Sequence, residues 1–344
     1  MRTLASCVAL VALAACGGGE ASPPADPGSG AGTPDGAAPP GDSGGAQPDG
    51  STSSGGPDGS PDTALPDGGS GLLYDDDGPI AFATTAEDVT NGSRTFTEHV
   101  YMPSSPGKHP LVSLSPGLLQ PAIAYAAYAS RLASYGVAVI VRDDPGVGTL
   151  TSDVEADVSY AVATWLPSAH ADAIDFAKVG LAGHSRGGKA TLISAERGLQ
   201  GKVVAWFGLD PVDATTLNGG EQALDTIGTI GIPTTYLGAS VSSSCSPASV
   251  GYTVLYPASP SPSVSITGVG AGHTQLQDQA NCNACAICTP AGTADPKVVL
   301  AYAVRYMTAF FARELLGDAR VGAAFEGAGA PTDVAAGRVQ VTSK

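Results

Sequence analysis

The residues of this chain most clearly equipped for chemistry are Gly183-His184-Ser185-Arg186-Gly187, a G-x-S-x-G pentapeptide. The pattern requires a sharp turn from strand into helix. Glycines two before and two after the serine relieve backbone crowding, so the hydroxyl can project above a sheet as a nucleophile. The pattern is loose in a chain with 46 glycines, and Gly41-Asp42-Ser43-Gly44-Gly45 matches it as well. Context separates the two. The apolar run 178–183 leads into Ser185, and residues 187–196 leave it with helical character. Ser43 lies among small and polar residues, and no histidine precedes it.

A serine at its ordinary pKa is a poor nucleophile and needs a base within hydrogen-bond reach. The pentapeptide resembles the serine turn of the α/β-hydrolases, and that resemblance implies that the acid and then the histidine follow the serine along the chain. Of the five histidines, His99, His109 and His170 precede Ser185, and His184 adjoins it, pointing the wrong way to serve it. His273, in a glycine-rich turn after a strand expected at 263–267, is the expected base. The acid can follow either of the next two strands. The second, from Ile232, ends without a carboxylate; the first ends in Leu209-Asp210-Pro211-Val212-Asp213. Asp210 falls at the strand end and is the expected acid, with Asp213 as the alternative and Asp225 too deep in the following connection. An oxyanion needs two N–H donors. These are expected from Arg186 and from Leu118, with Leu119 as the alternative, in a turn that Gly117 allows.

The elements that must carry these residues can be read from the patterning. Apolar runs at 111–115, 137–141, 178–183, 203–209 and 232–237 read as buried strands. Helical spacing over 125–135, 153–166, 187–196 and 297–316 alternates with them, Asp153 being the expected N-cap of the second helix. Residues 80–89 and 94–102 alternate polar and apolar, as an antiparallel edge does. Strands apolar on both faces indicate a mainly parallel, doubly wound α/β sheet with helices on both faces.

The ends read differently. Arg2 and the apolar run Leu4 to Ala15 form an export signal too short to span a bilayer. It ends in Leu13-Ala14-Ala15-Cys16, which resembles the lipobox of bacterial lipoproteins; an ordinary signal peptide is the alternative. The resemblance implies lipidation of Cys16 and anchoring to the cell envelope, outer membrane or cell surface. Residues 17–71 are mostly Gly, Pro, Ser, Asp and Ala, with almost nothing large and apolar and with Pro-Asp-Gly at 34–36, 48–50, 57–59 and 66–68. Such a segment cannot bury enough surface to offset its ordering entropy, and reads as a tether reaching roughly 40 Å. The expected organisation is a signal (1–15), a lipidated Cys and tether (16–71), a catalytic domain (72–318) and a tail (319–344).

The formal charge is −16. Eight of the 32 acidic and one of the 16 basic residues precede residue 72, so the rest carries −9. No basic patch is available to neutralise phosphates, which argues against nucleic acid as a partner. Beyond Cys7 and Cys16 four cysteines remain, Cys245, Cys282, Cys285 and Cys288. In an exported chain they imply two disulfides, whose three connectivities sequence leaves open. Iron–sulfur ligation by Cys282, Cys285 and Cys288 is the alternative. No metal or cofactor is expected.

Residues 114–118, 128–136, 183–188 and 209–213, in that order, resemble plant chlorophyllases and the platelet-activating-factor acetylhydrolases over about 95–315. The resemblance implies an α/β-hydrolase fold and cleavage of carboxylic esters by Ser185, His273 and Asp210. Cutinases share the serine turn but carry their acid one strand later, where this chain has none. The resemblance leaves the ester unnamed: small-molecule, lipid and polymeric esters are all expected partners of a monomeric enzyme. A catalytically inactive surface-binding module is the reading from a different class.

Overall fold

The computed structural model describes residues 71–144, 146, 149–214, 220–283 and 285–344. Cys16, Ser43, the signal and almost all of the tether lie outside the described residues. Strands β1 (Phe82–Asn91), β2 (Arg94–Pro103) and β3 (His109–Ser115) come first. They are followed by α1 (Ala126–Ser134), β4 (Ala138–Arg142), α2 (Thr151–Tyr160), α3 (Leu166–Ala169), β5 (Ile174–His184) and α4 (Arg186–Ile193). Then come β6 (Val203–Leu209), β7 (Thr234–Val241), α5 (Tyr252–Ala258), β8 (Ser263–Gly272), α6 (Pro296–Phe311), α7 (Ala330–Ala335) and β9 (Val339–Ser343).

All nine strands form one mixed sheet in the order β1-β2-β4-β3-β5-β6-β7-β8-β9. The six strands from β4 to β8 run parallel, and β1, β2 and β9 pair antiparallel at the edges. Every residue of β3 and β4 is buried, as strands covered by helices on both faces must be. One core joins α1 and α6 to one face through Tyr128, Phe207, Phe310 and Phe311. The other joins α2, α4 and α5 to the opposite face around Leu181, Trp206 and Tyr236. The chain is an α/β protein.

The connection after β3 leads to β4 on one side, while β5 lies on the other. Connections diverging from the C-terminal ends of adjacent parallel strands open a crevice there. In this chain that switch point falls between β3 and β5, whose C-terminal ends lead into the turn at Gly117 and into Ser185.

Two local expectations need correction. The second helix begins at Thr151, and Leu150 rather than Asp153 precedes it. Asp153 instead reaches back from the first turn, its carboxylate accepting the Leu150 N–H at 3.1 Å. Residues 319–344 are no appendage. Strand β9 pairs with β8 from Val264↔Ser343 to Gly268↔Val339, and Asp333 of α7 forms an ion pair with Arg305 of α6. The strand is short and mostly exposed, so its apolar signal is weak. Among the described residues no helix is long and apolar enough to cross a membrane.

Candidate active site

The buried C-terminal half of β5 delivers Ser185 at φ 55° and ψ −121°. A non-glycine residue in the left-handed half of the map costs on the order of 1–3 kcal/mol and persists only where its surroundings impose it. Here the neighbouring strand does so: Ser185 N–H donates to Leu209 O at 3.1 Å, and Ser185 O accepts Val212 N–H at 3.1 Å. A Cβ on Gly183 would lie 2.3 Å from Gly187 O, and one on Gly187 would lie 2.3 Å from Ser115 O. Both glycines are therefore required by packing. Arg186 opens α4, so its N–H has no partner within the helix.

Asp210 follows β6, also at positive φ (38°). Its N–H donates to Leu237 O at 2.7 Å, and its Oδ1 accepts Ala239 N–H at 3.1 Å. Its Oδ2 lies 2.7 Å from His273 Nδ1, with both side chains buried. Asp213 is engaged elsewhere: its oxygens accept Ala223 N–H at 2.6 Å and Leu224 N–H at 3.1 Å, tying down the turn 223–225. The geometry thus pairs His273 with Asp210 and not with Asp213.

His273 opens a short turn at the end of β8. Its ring lies against that of His184, with centroids 4.6 Å apart and planes at 32°. His184 Nε2 meets His273 O at 3.1 Å. His273 is therefore held by contact with the residue immediately before Ser185. Burial, followed by the charge of the neighbouring His273, pushes the His184 imidazole well below its ordinary range.

The turn after β3 supplies the remaining wall. A Cβ on Gly117 would lie 2.9 Å from His184 Nδ1 and 3.4 Å from Ser185 Cβ, so only glycine lets this backbone approach the serine. Gly117 N–H donates to Tyr125 Oη at 3.0 Å. Leu119, at φ 65°, donates its N–H to Asp144 Oδ1 at 3.1 Å. Leu118 N–H has no acceptor among the described residues, so of the two leucines it is the one with a donor to spare.

Asp144 is a residue that sequence reasoning missed. It also accepts Gly146 N–H at 2.7 Å and forms a buried ion pair with the Arg186 guanidinium, which donates to Thr149 O as well. Its neighbour Asp143 accepts Ala122 N–H at 2.7 Å. The segment 142–146 reads only as a turn; nothing in it names the loops its carboxylates reach. Tyr125 and Gln277 were missed likewise, since both read as ordinary positions beside the core.

The four cysteines pair as Cys245–Cys288 and Cys282–Cys285. The first joins the connection after β7 to the segment following the His273 turn. The second closes a small loop whose Asn283 donates to Gln120 Oε1 and Leu119 O, both at 3.2 Å.

A half-buried serine on a strand-to-helix turn thus lies near a buried Asp–His pair at the C-terminal edge of a parallel sheet. The chlorophyllase family model matches residues 80–320 of this chain. The chain belongs to the chlorophyllase family, within the α/β-hydrolase superfamily. No curated protein matches it.

Proposed function

We propose that this chain is a serine-dependent carboxylic ester hydrolase on the α/β-hydrolase arrangement, with Ser185, His273 and Asp210 as its triad. The observation that carries the reading is the buried 2.7 Å contact between Asp210 Oδ2 and His273 Nδ1, beside a serine held at positive φ. A carboxylate on Nδ1 keeps the proton there and leaves Nε2 to act as base. Ser185 Oγ attacks the ester carbonyl while His273 Nε2 takes its proton. The tetrahedral oxyanion is received by the N–H groups of Leu118 and Arg186. Collapse expels the alcohol, which takes the proton from His273, and water then cleaves the acyl-enzyme by the same route.

Exposed Ile123, Leu150 and Ile287 lie on the loops around this edge of the sheet and favour an ester with an apolar acyl or alcohol part. Export and anchoring through a lipidated Cys16 belong to the same proposal, resting on residues 1–16 alone. Loss of metabolic palmitate labelling in Cys16→Ser tests the anchor.

The function is tested with p-nitrophenyl esters on the purified protein. Ser185→Ala is expected to lower kcat by at least about 10³-fold. Activity persisting in that variant refutes the site.

A further inference from the structure

Tyr125 Oη stands where three segments of the site meet. It accepts Gly117 N–H at 3.0 Å from the turn after β3. It lies 2.7 Å from His184 Nδ1, on the residue before Ser185, and 2.7 Å from the Gln277 carboxamide, four residues past His273. His184 in turn meets the His273 carbonyl through Nε2 at 3.1 Å. Tyr125 and His184 are buried, as are Gln277 and His273, so every donor and acceptor here must be matched from within.

A phenol has one proton and two lone pairs, and a carbonyl can only accept. The His273 carbonyl therefore requires a proton on His184 Nε2. A neutral imidazole then has an acceptor at Nδ1, and the phenol proton must go there. With its proton spent, the Tyr125 oxygen can only accept, from Gly117 N–H and from the amide N–H of Gln277. As placed, Gln277 turns Oε1 to the phenol and its N–H to Cys282 Sγ at 2.8 Å, a weak acceptor; the assignment exchanges the two, at the cost of facing Oε1 to a disulfide sulfur with no proton to give. The other arrangement sends the phenol proton to Gln277 Oε1. It needs either a bare Nε2 facing a bare carbonyl oxygen or a buried imidazolium, and burial disfavours the charged form.

We propose that Tyr125 and His184 are positioning residues of the hydrolytic site. Tyr125 donates to His184 Nδ1, which fixes His184 as the neutral Nε2–H tautomer that clamps the His273 main chain. The same phenol oxygen holds Gly117 N–H and so aims the neighbouring Leu118 N–H. One hydroxyl thereby sets the serine turn, the base and the oxyanion donor relative to one another. The inference rests on the proposed triad for its functional meaning, whereas the tautomer stands on hydrogen-bond matching alone.

Two measurements on the full chain test it. Long-range ¹H–¹⁵N correlation on ¹⁵N-histidine protein, with His184 assigned through His184→Gln, is expected to show a neutral His184 protonated at Nε2. An Nδ1–H tautomer or an imidazolium at neutral pH overturns the proposal. In Tyr125→Phe, kcat per site titrated with a fluorophosphonate is expected to fall about ten- to a hundredfold, as for a misplacement near 1 Å, with KM nearly unchanged. A purely structural role would lower the titratable fraction and leave kcat per titrated site alone, and that result also overturns it. Failure of the wild type to be labelled at Ser185 would instead remove the triad while leaving the tautomer result to stand or fall separately.

Discussion

Asp144→Ala removes a carboxylate that holds three things at once. The Asp144 and Arg186 side chains are 2% and 3% exposed, and the same carboxylate accepts Leu119 N–H and Gly146 N–H. Breaking a buried ion pair by deleting one partner typically costs about 3–5 kcal/mol, because the remaining charge is left uncompensated. Arg186 keeps its bond to Thr149 O at 2.9 Å, so the lower end of that range, about 3 kcal/mol, applies. Equilibrium urea unfolding should register this as a lower midpoint with an unchanged slope. The double variant Asp144→Ala/Arg186→Met should recover part of the loss, since it leaves no orphaned guanidinium. The turn carrying Leu118 loses its anchor as well, so p-nitrophenyl ester turnover per titrated site should fall about 10²-fold, the scale of one misplaced oxyanion donor. A loss of stability under about 1 kcal/mol, below the range for a broken buried pair, together with unaltered kcat would refute the reasoning. So would a double variant less stable than Asp144→Ala.

Asp210→Asn should lower kcat by about 10⁴-fold by losing the His273 tautomer, whereas Asp213→Asn should change kcat little, its oxygens serving Ala223 and Leu224; equal losses in the two variants contradict the pairing. Glu98 is buried on β2, in register with Arg142 of β4. Burial pushes its carboxyl from 4.5 to about 8 despite that arginine. The folded state therefore binds the extra proton between those values, and the associated stability is present below about 4.5 and lost as pH rises through about 8. Glu98→Gln should raise the urea midpoint more at pH 8.5 than at pH 5, and an equal shift at both would contradict this. The Cys245–Cys288 bridge spans 43 residues and Cys282–Cys285 only three. Replacing the first pair with serine should cost about 2–4 kcal/mol by urea unfolding and the second pair less; the reverse order would contradict the loop argument.

The α/β character was legible because each central strand is a short run of buried Val, Ile, Leu and Ala set between helical segments. The β1–β2 edge was legible from its alternation. The part that sequence misread is β9, which joins the sheet through backbone pairing to β8 while exposing most of its side chains. At the site, Ser185 was marked by glycines that packing requires, and His273 by its place downstream of the serine. The Cys245–Cys288 pairing depends on loops brought together only by folding, and no local spacing encodes it. The same holds for Asp144, Tyr125 and Gln277. Asp144 reaches Leu119 across 25 positions and Tyr125 reaches Gln277 across 152, and no local periodicity reports contacts of that range.

The central claim is that Ser185 is a nucleophile activated by His273. Treatment of the purified protein with a fluorophosphonate, followed by intact-mass and peptide analysis, tests it most directly. The account predicts one adduct per chain, on the peptide containing Ser185, with loss of ester hydrolysis in step with labelling and no adduct in Ser185→Ala. Labelling at another residue, or an unlabelled wild type that still hydrolyses esters, would contradict it.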